Sequence, residues 1–239
     1  MDFVAPTTLN EAIRALELED ARCLAGGQSL VAMMNLGLVS PSRLVSLRKI
    51  ELLKGIERQH GGLKIGAMVT HETLAALEDH HLLAQVARGI AYPAIRAWGT
   101  IGGSVAHADP AADYPVALLT LEATIEVESS KGSRRIAARD FFRGLFETAL
   151  QKGEIVTAIH VPPQRGKAAY EKLSLVAGDF AILSVAAAGS RVVVGGYGPA
   201  PMLLEDAGKV EPMRDQRASA DYRRKVLPEL VRRVRERCK

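Results

Sequence analysis

The sequence predicts an α+β protein: two units that mix helices and strands, then a β-rich region closed by a basic helix. Three observations carry this expectation. Apolar residues at helical spacing alternate with short strand-like runs through the first 120 positions. Paired extended runs flank glycine or polar turns in GIERQHGGLKIGA and TIEVESSKGSRRIAA, the pattern of hairpins. The 239 residues are 48% hydrophobic and 24% charged, proportions that build an ordinary globular core and exclude low-complexity disorder.

Each element has a local reason. Thr8 and Glu11 form a capping box, and Leu9, Ala12, Ile13 and Leu16 share one helical face, predicting a first helix over roughly 8–19. The strand ARCLA follows, then Gly26-Gly27, a second apolar helix from about Ser29 to Leu38, and the strand RLVSL. Together they make a βαβ-like unit assigned to residues 1–52. The hairpin around Gly61-Gly62 opens a second unit, 53–164, with helices near 70–78 and 82–90, a second hairpin, and the strand EIVTAIHV ended by Pro162-Pro163. Beyond a cluster of prolines, Gly166 and charged residues, the region 165–239 carries the strands YEKLSLV, FAILSVAAA and RVVVGGYG and a final helix.

The charge is uneven. From Arg214 onward ten Lys and Arg face four Asp and Glu, against 21 and 23 in everything before. A basic tail suits an acidic partner or nucleic acid, but Val226, Leu230 and Val234 also mark the apolar stripe of a surface or subunit-facing helix, and interleaved aromatics are missing, so no nucleic-acid partner is expected. No stretch approaches the roughly 18 apolar residues of a membrane span, and the start lacks the basic and apolar regions of a leader, so no membrane span and a cytoplasmic location are expected. Cys23 and Cys238 are far apart in sequence and outside any CxxC spacing; an iron–sulfur or zinc centre would have to sit in a partner.

Two segments suggest chemistry. In Ala25-Gly26-Gly27-Gln28-Ser29, between strand and helix, glycines without Cβ atoms let backbone N–H groups approach an anion. The segment equally suits a plain tight connection. Thr100-Ile101-Gly102-Gly103-Ser104 repeats the arrangement with hydroxyls on both sides, so that two such turns could hold one pyrophosphate. Neither fits GxGxxG followed by a distant acid, nor GxxxxGK[ST]. The run His107 to Asp113 offers a histidine and two carboxylates, but Pro110 and the lack of further ligands make it a poor metal site. Asp113 better suits a sugar-type hydroxyl. The six histidines form no HExxH, and no GxSxG elbow is present, which leaves hydrolysis without support.

AGGQS, TIGGSVAHADPAAD and YEKLSLVAGDFAI, in this order and spacing, resemble the FAD-binding medium subunit of molybdenum hydroxylases, the carbon monoxide dehydrogenase and xanthine dehydrogenase group. The resemblance covers nearly the whole chain. It implies the two-subdomain FAD-binding fold of the vanillyl-alcohol oxidase and p-cresol methylhydroxylase type, plus a C-terminal α+β domain that looks shortened between Gly208 and Arg217. It implies FAD held by Ala25, Gly26, Gly27, Gln28, Ser29 and Leu30, with Thr100, Ile101, Gly102, Gly103 and Ser104, at its pyrophosphate. Asp113 would meet a hydroxyl, Lys172 the flavin side, and Phe180 the isoalloxazine; the residues alone equally suit an exposed strand lysine and a core aromatic. Gln28 and Ser104 stand where the family commonly has His and Asn, and Leu175-Val176 replace a usual basic pair. The implied role is an electron-transfer subunit without a catalytic residue of its own. The implied partners are a molybdenum-cofactor large subunit and a [2Fe–2S] small subunit, in a dimer of heterotrimers. A self-sufficient flavin oxidase of the same fold and a non-catalytic binding module are the alternatives.

Overall fold

The computed structural model describes residues 1–164 and 166–239. The N-terminal unit contains β1 (Asp2–Val4), α1 (Leu9–Ala15), β2 (Ala21–Leu24), α2 (Leu30–Asn35) and β3 (Arg43–Ser46). Its sheet is parallel in the order β1-β3-β2. The capping box forms, with Thr8 Oγ1 accepting from Glu11 N at 3.3 Å and Glu11 Oε2 accepting from Thr8 N at 3.2 Å. Leu9, Ala12, Ile13 and Leu16 are buried against Val45, Leu47, Ile50 and Leu53. Both helices are shorter than their apolar patterns suggest. After α1 the chain turns through Asp20 at φ 57°, and after α2 through Gly37 at φ 71°.

The second unit holds β4 (Ile56–Gln59), β5 (Gly62–Gly66), α3 (His71–Ala75), α4 (His81–Arg88), α5 (Pro93–Arg96), α6 (Ile101–His107), α7 (Asp113–Thr120), β6 (Thr124–Ser129) and β7 (Gly132–Ala137). It continues through α8 (Ala138–Phe141), the small hairpin β8 (Phe142–Gly144) and β9 (Glu147–Thr148), and β10 (Ile155–Val161). Its antiparallel sheet runs β4-β5-β10-β6-β7, so the last strand is central and ties both hairpins together. Every residue of β10 except His160 is buried, in keeping with its apolar sequence IVTAIHV.

The third region contains β11 (Ala168–Leu173), β12 (Leu183–Ala188), β13 (Arg191–Gly195), β14 (Met202–Leu203), α9 (Leu204–Ala207) and α10 (Ala220–Arg237), with the antiparallel order β11-β12-β13-β14. The period-two alternation of its strands serves two layers. Ala169, Leu183, Val185, Ala187, Val192 and Val194 pack under Leu227, Leu230, Val231 and Val234 of α10. Tyr170, Ala186 and Val193 face the other way, into the core of the second unit. Between the two units lies α7, buried along its whole length, which explains the continuous apolar run YPVALL.

Candidate functional site

A cleft of about 840 Å³ is lined by residues of all three regions. One wall is the segment that joins β2 to α2. The backbone N–H groups of Ala25 to Leu30 have no hydrogen-bond partner among the described residues. Gly27 has φ 76°, a conformation in which a Cβ is disfavoured. Gly26 is required by close packing, because a Cβ there would collide with the carbonyl oxygen of Trp98. Gln28 folds back so that its Nε2 donates to Gly26 O at 3.1 Å, and Ser29 makes no side-chain cap to α2. The result is a run of unengaged donors on a loop seated against the second unit, the construction an anion requires.

The facing segment behaves differently. Residues 100–104 are not a turn like the first but the cap and first turn of α6. The N–H groups are already engaged: Ile101 with Val69 O at 3.0 Å, Gly102 with Ala67 O at 2.9 Å, Gly103 with Thr100 Oγ1 at 3.1 Å, and Ser104 with Thr100 O at 3.0 Å. Gly102 is needed because a Cβ would meet Ala67 Cβ at 2.5 Å. Ile101 turns into the core and does not line the cleft. Thr100, Gly102, Gly103 and Ser104 do line it. A Cβ placed on Gly103 would lie 3.5 Å from Ala25 Cβ, so the two glycine segments meet across the cleft.

Asp113 lines the cleft at the start of α7 and is buried. Its Oδ1 accepts from the Tyr170 hydroxyl, and its Oδ2 from Lys172 Nζ at 3.1 Å. Burial pushes its carboxyl above the ordinary range, against the opposing pull of Lys172 and the Tyr170 hydrogen bond. A carboxylate offers about four lone-pair positions and two are taken, so about two remain for a ligand hydroxyl. Lys172 does not line the cleft; it also donates to Gly89 O at 2.6 Å and fixes Asp113 from behind. Phe180 does line it, next to Gly178 and Asp179.

The cleft includes His107 of the second motif and residues the motifs do not announce: His71, Ile90, Ala91, Phe146 and Val156. His107 and Phe146 are ring partners, with centroids 5.1 Å apart. Ala91, at φ 44°, donates its N–H to Gly178 O at 2.8 Å and so joins the end of α4 to the Phe180 segment. Positive φ at Ala91 and at Phe146 (55°) is the reason neither turn is legible, since neither residue type signals that conformation. No cluster of three or more His, Cys, Asp or Glu side chains arranged for a metal occurs among the described residues.

Residues 1–164 match the family described as the FAD binding domain in molybdopterin dehydrogenase. Over its full length the chain is 35% identical to the carbon monoxide dehydrogenase medium chain of Afipia carboxidovorans, covering 96% of that protein. It is 34% identical to the glyceraldehyde dehydrogenase medium chain of Sulfolobus acidocaldarius, over 96% of this chain and 95% of that one. It superposes with a TM-score of 0.94, at 31% identity and covering 100% and 96% of the two chains, on the carbon monoxide dehydrogenase of Hydrogenophaga pseudoflava that lacks the Mo-pyranopterin moiety of its cofactor.

Family match and fold thus define the class: a flavin-binding oxidoreductase subunit of mixed α+β architecture. Within that class, the chain belongs to the family of FAD-binding domains of molybdopterin dehydrogenases.

Proposed function

We propose that this chain is the electron-transferring medium subunit of a molybdenum-containing hydroxylase or dehydrogenase. It would pass electrons from the [2Fe–2S] clusters of a small subunit, through FAD, to an external acceptor. The observation that carries this reading is the run of unengaged N–H donors from Ala25 to Leu30, opening into a cleft walled by three regions.

These donors suit the pyrophosphate, with the hydroxyl-bearing Ser29 and Ser104 lining the same cleft. Gly27 keeps the loop in its left-handed bend and Gly26 lets it seat on Trp98. The engaged N–H groups of α6 leave that helix a shaping role: Thr100 and Gly103 set the opposite wall, and Ile101 anchors it in the core. Asp113, pinned by Lys172 and Tyr170, offers a remaining lone pair to a ribityl or ribose hydroxyl. Phe180 provides an apolar face for the ring. FAD itself, when bound, can collect electrons singly and release them in pairs, while the protein supplies binding and orientation.

The chain then needs no acid, base or nucleophile of its own. The substrate chemistry belongs to the molybdenum-cofactor large subunit, in a dimer of heterotrimers located in the cytoplasm. No helix among the described residues is long and apolar enough to cross a membrane.

The test is a visible absorbance spectrum of the purified protein with its copurifying subunits, followed by chromatography of the chromophore released on denaturation. Stoichiometric FAD together with molybdenum and iron is the expected result. A colourless protein that takes up no added FAD would overturn the reading.

A further inference from the structure

Phe180 is braced from outside the cleft. The guanidinium carbon of Arg217 lies 5.5 Å from the centroid of the Phe180 ring, within cation–π range. Arg217 is itself held by Asp215, whose Oδ1 accepts from Arg217 N at 2.9 Å and whose Oδ2 lies 3.4 Å from Arg217 Nη1. The same Oδ1 accepts from Ala218 N at 3.1 Å and from Arg223 Nη2 at 2.5 Å. Arg223, on α10, is fully buried and also donates to the carbonyls of Ile182 and Gly196.

The cluster therefore grips the Phe180 segment twice. Arg223 fixes the backbone two residues beyond the ring, and Arg217 fixes the ring itself, with Asp215 linking the two arginines. On the same wall, the Asp179 carboxylate accepts from Phe180 N at 2.7 Å and lines the cleft. Arg217, which does not itself line the cleft, is thus a cation against the half-exposed Phe180 ring.

We propose that Arg217 is a positioning residue for the cofactor cleft: it sets the orientation of Phe180 and supplies the cation behind that wall. The proposal rests on the flavin reading above. It concerns a residue at the end of the Gly208–Arg217 segment, outside every motif that marks the cofactor.

The test compares Arg217→Ala, Arg217→Lys, Phe180→Leu and the double variant Arg217→Ala/Phe180→Leu in the full chain with its copurifying subunits. FAD affinity is read by titration of flavin fluorescence, and the reduction potential of the bound flavin is measured for each. Arg217→Ala is expected to weaken FAD binding about two- to fivefold, the size of one partly exposed cation–π contact. It should also make the flavin harder to reduce, because the Asp179 carboxylate stays while the cation is gone. Arg217→Lys should recover most of both losses, which a purely structural defect would not do. In the Phe180→Leu background, Arg217→Ala should change affinity no further. Equal losses in both backgrounds, or an Arg217→Ala protein identical to the unaltered one, would overturn the proposal and leave the flavin reading standing. Absence of FAD uptake by the unaltered protein would overturn the flavin reading and the proposal with it.

Discussion

His71 shows what burial does to a single side chain at the cleft. Its Nδ1 lies 3.1 Å from the Tyr114 hydroxyl, and desolvation, with a smaller contribution from the Arg96 guanidinium, holds its pKa down at about 4 against an ordinary 6.5. The folded protein keeps this imidazole neutral, whereas the unfolded chain takes up a proton below pH 6.5. Stability from this group is intact above 6.5, declines as the pH falls, and levels off near 4, a loss of roughly 3 kcal/mol. A His71→Asn variant should therefore lose less thermal stability between pH 6.5 and 4 than the unaltered protein. Parallel pH profiles would show that His71 is not the neutral buried group described. At this scale the sequence pointed to Ala25 to Leu30, Thr100, Gly102 to Ser104 and Asp113, all of which line the cleft, while Ile101 turns into the core instead. The bond from Asp113 to Lys172, 59 residues on, was not legible. It forms because β11 lays Lys172 beside the start of α7, a juxtaposition no local pattern encodes.

The two glycine pairs look alike in sequence and do different work as elements. Gly102 lies in the first turn of α6, where its N–H reaches Ala67 O and a Cβ would collide with Ala67. Its role is the approach of helix to strand. Gly27 lies in a loop at positive φ, where an added Cβ would stand 3.3 Å from Val31 Cγ2, and the cleft opens before it. Gly102→Ala should cost about 1–3 kcal/mol of stability by overpacking, measured by denaturant midpoint, with FAD affinity following only through that loss. Gly27→Ala should cost about 1–2 kcal/mol from the left-handed backbone, with a loss of FAD affinity larger than its loss of stability. The reverse pattern would mean that α6, not the loop, holds the anion. Elements with a chemical stop or start were legible: α1 through its capping box, and β4–β5 and β6–β7 through their turns. β1 and the β8–β9 hairpin were not. The first is three residues held by pairing with β3, by Val4 packing and by the Asp2–Arg43 ion pair, and the second turns through Phe146 in a conformation its residue type disfavours.

Across the whole molecule the excess positive charge of the tail is directed largely at the chain itself. Arg233 and Arg237 of α10 reach Glu171 on β11 at 3.6 and 2.7 Å, Arg224 reaches Glu211 at 2.8 Å, and Arg232 is paired within the helix to Glu229 and Glu236. Such exposed pairs contribute little stability individually, but together they orient the tail towards the body. The apolar stripe predicted from Val226, Leu230 and Val234 is real and wider than expected, since Leu227 and Val231 join it under the sheet. These contacts all lie within the third region; what joins the three regions is the cleft, whose lining comes from each of them. A ligand that binds all three walls must stabilise them together: at one hundred times its Kd, FAD should add about 2.7 kcal/mol to unfolding stability. Hydrogen exchange on FAD addition should slow concertedly at residues 25–30, 100–104 and 178–180, while the solvent face of α10 is unchanged. Protection confined to 25–30 would mean that the anion loop binds alone and that the cleft is not the seat of the ring. Concerted protection would tie the fold's division into three regions to a single bound molecule, and would explain why the glycine motifs, so far apart in sequence, face one another.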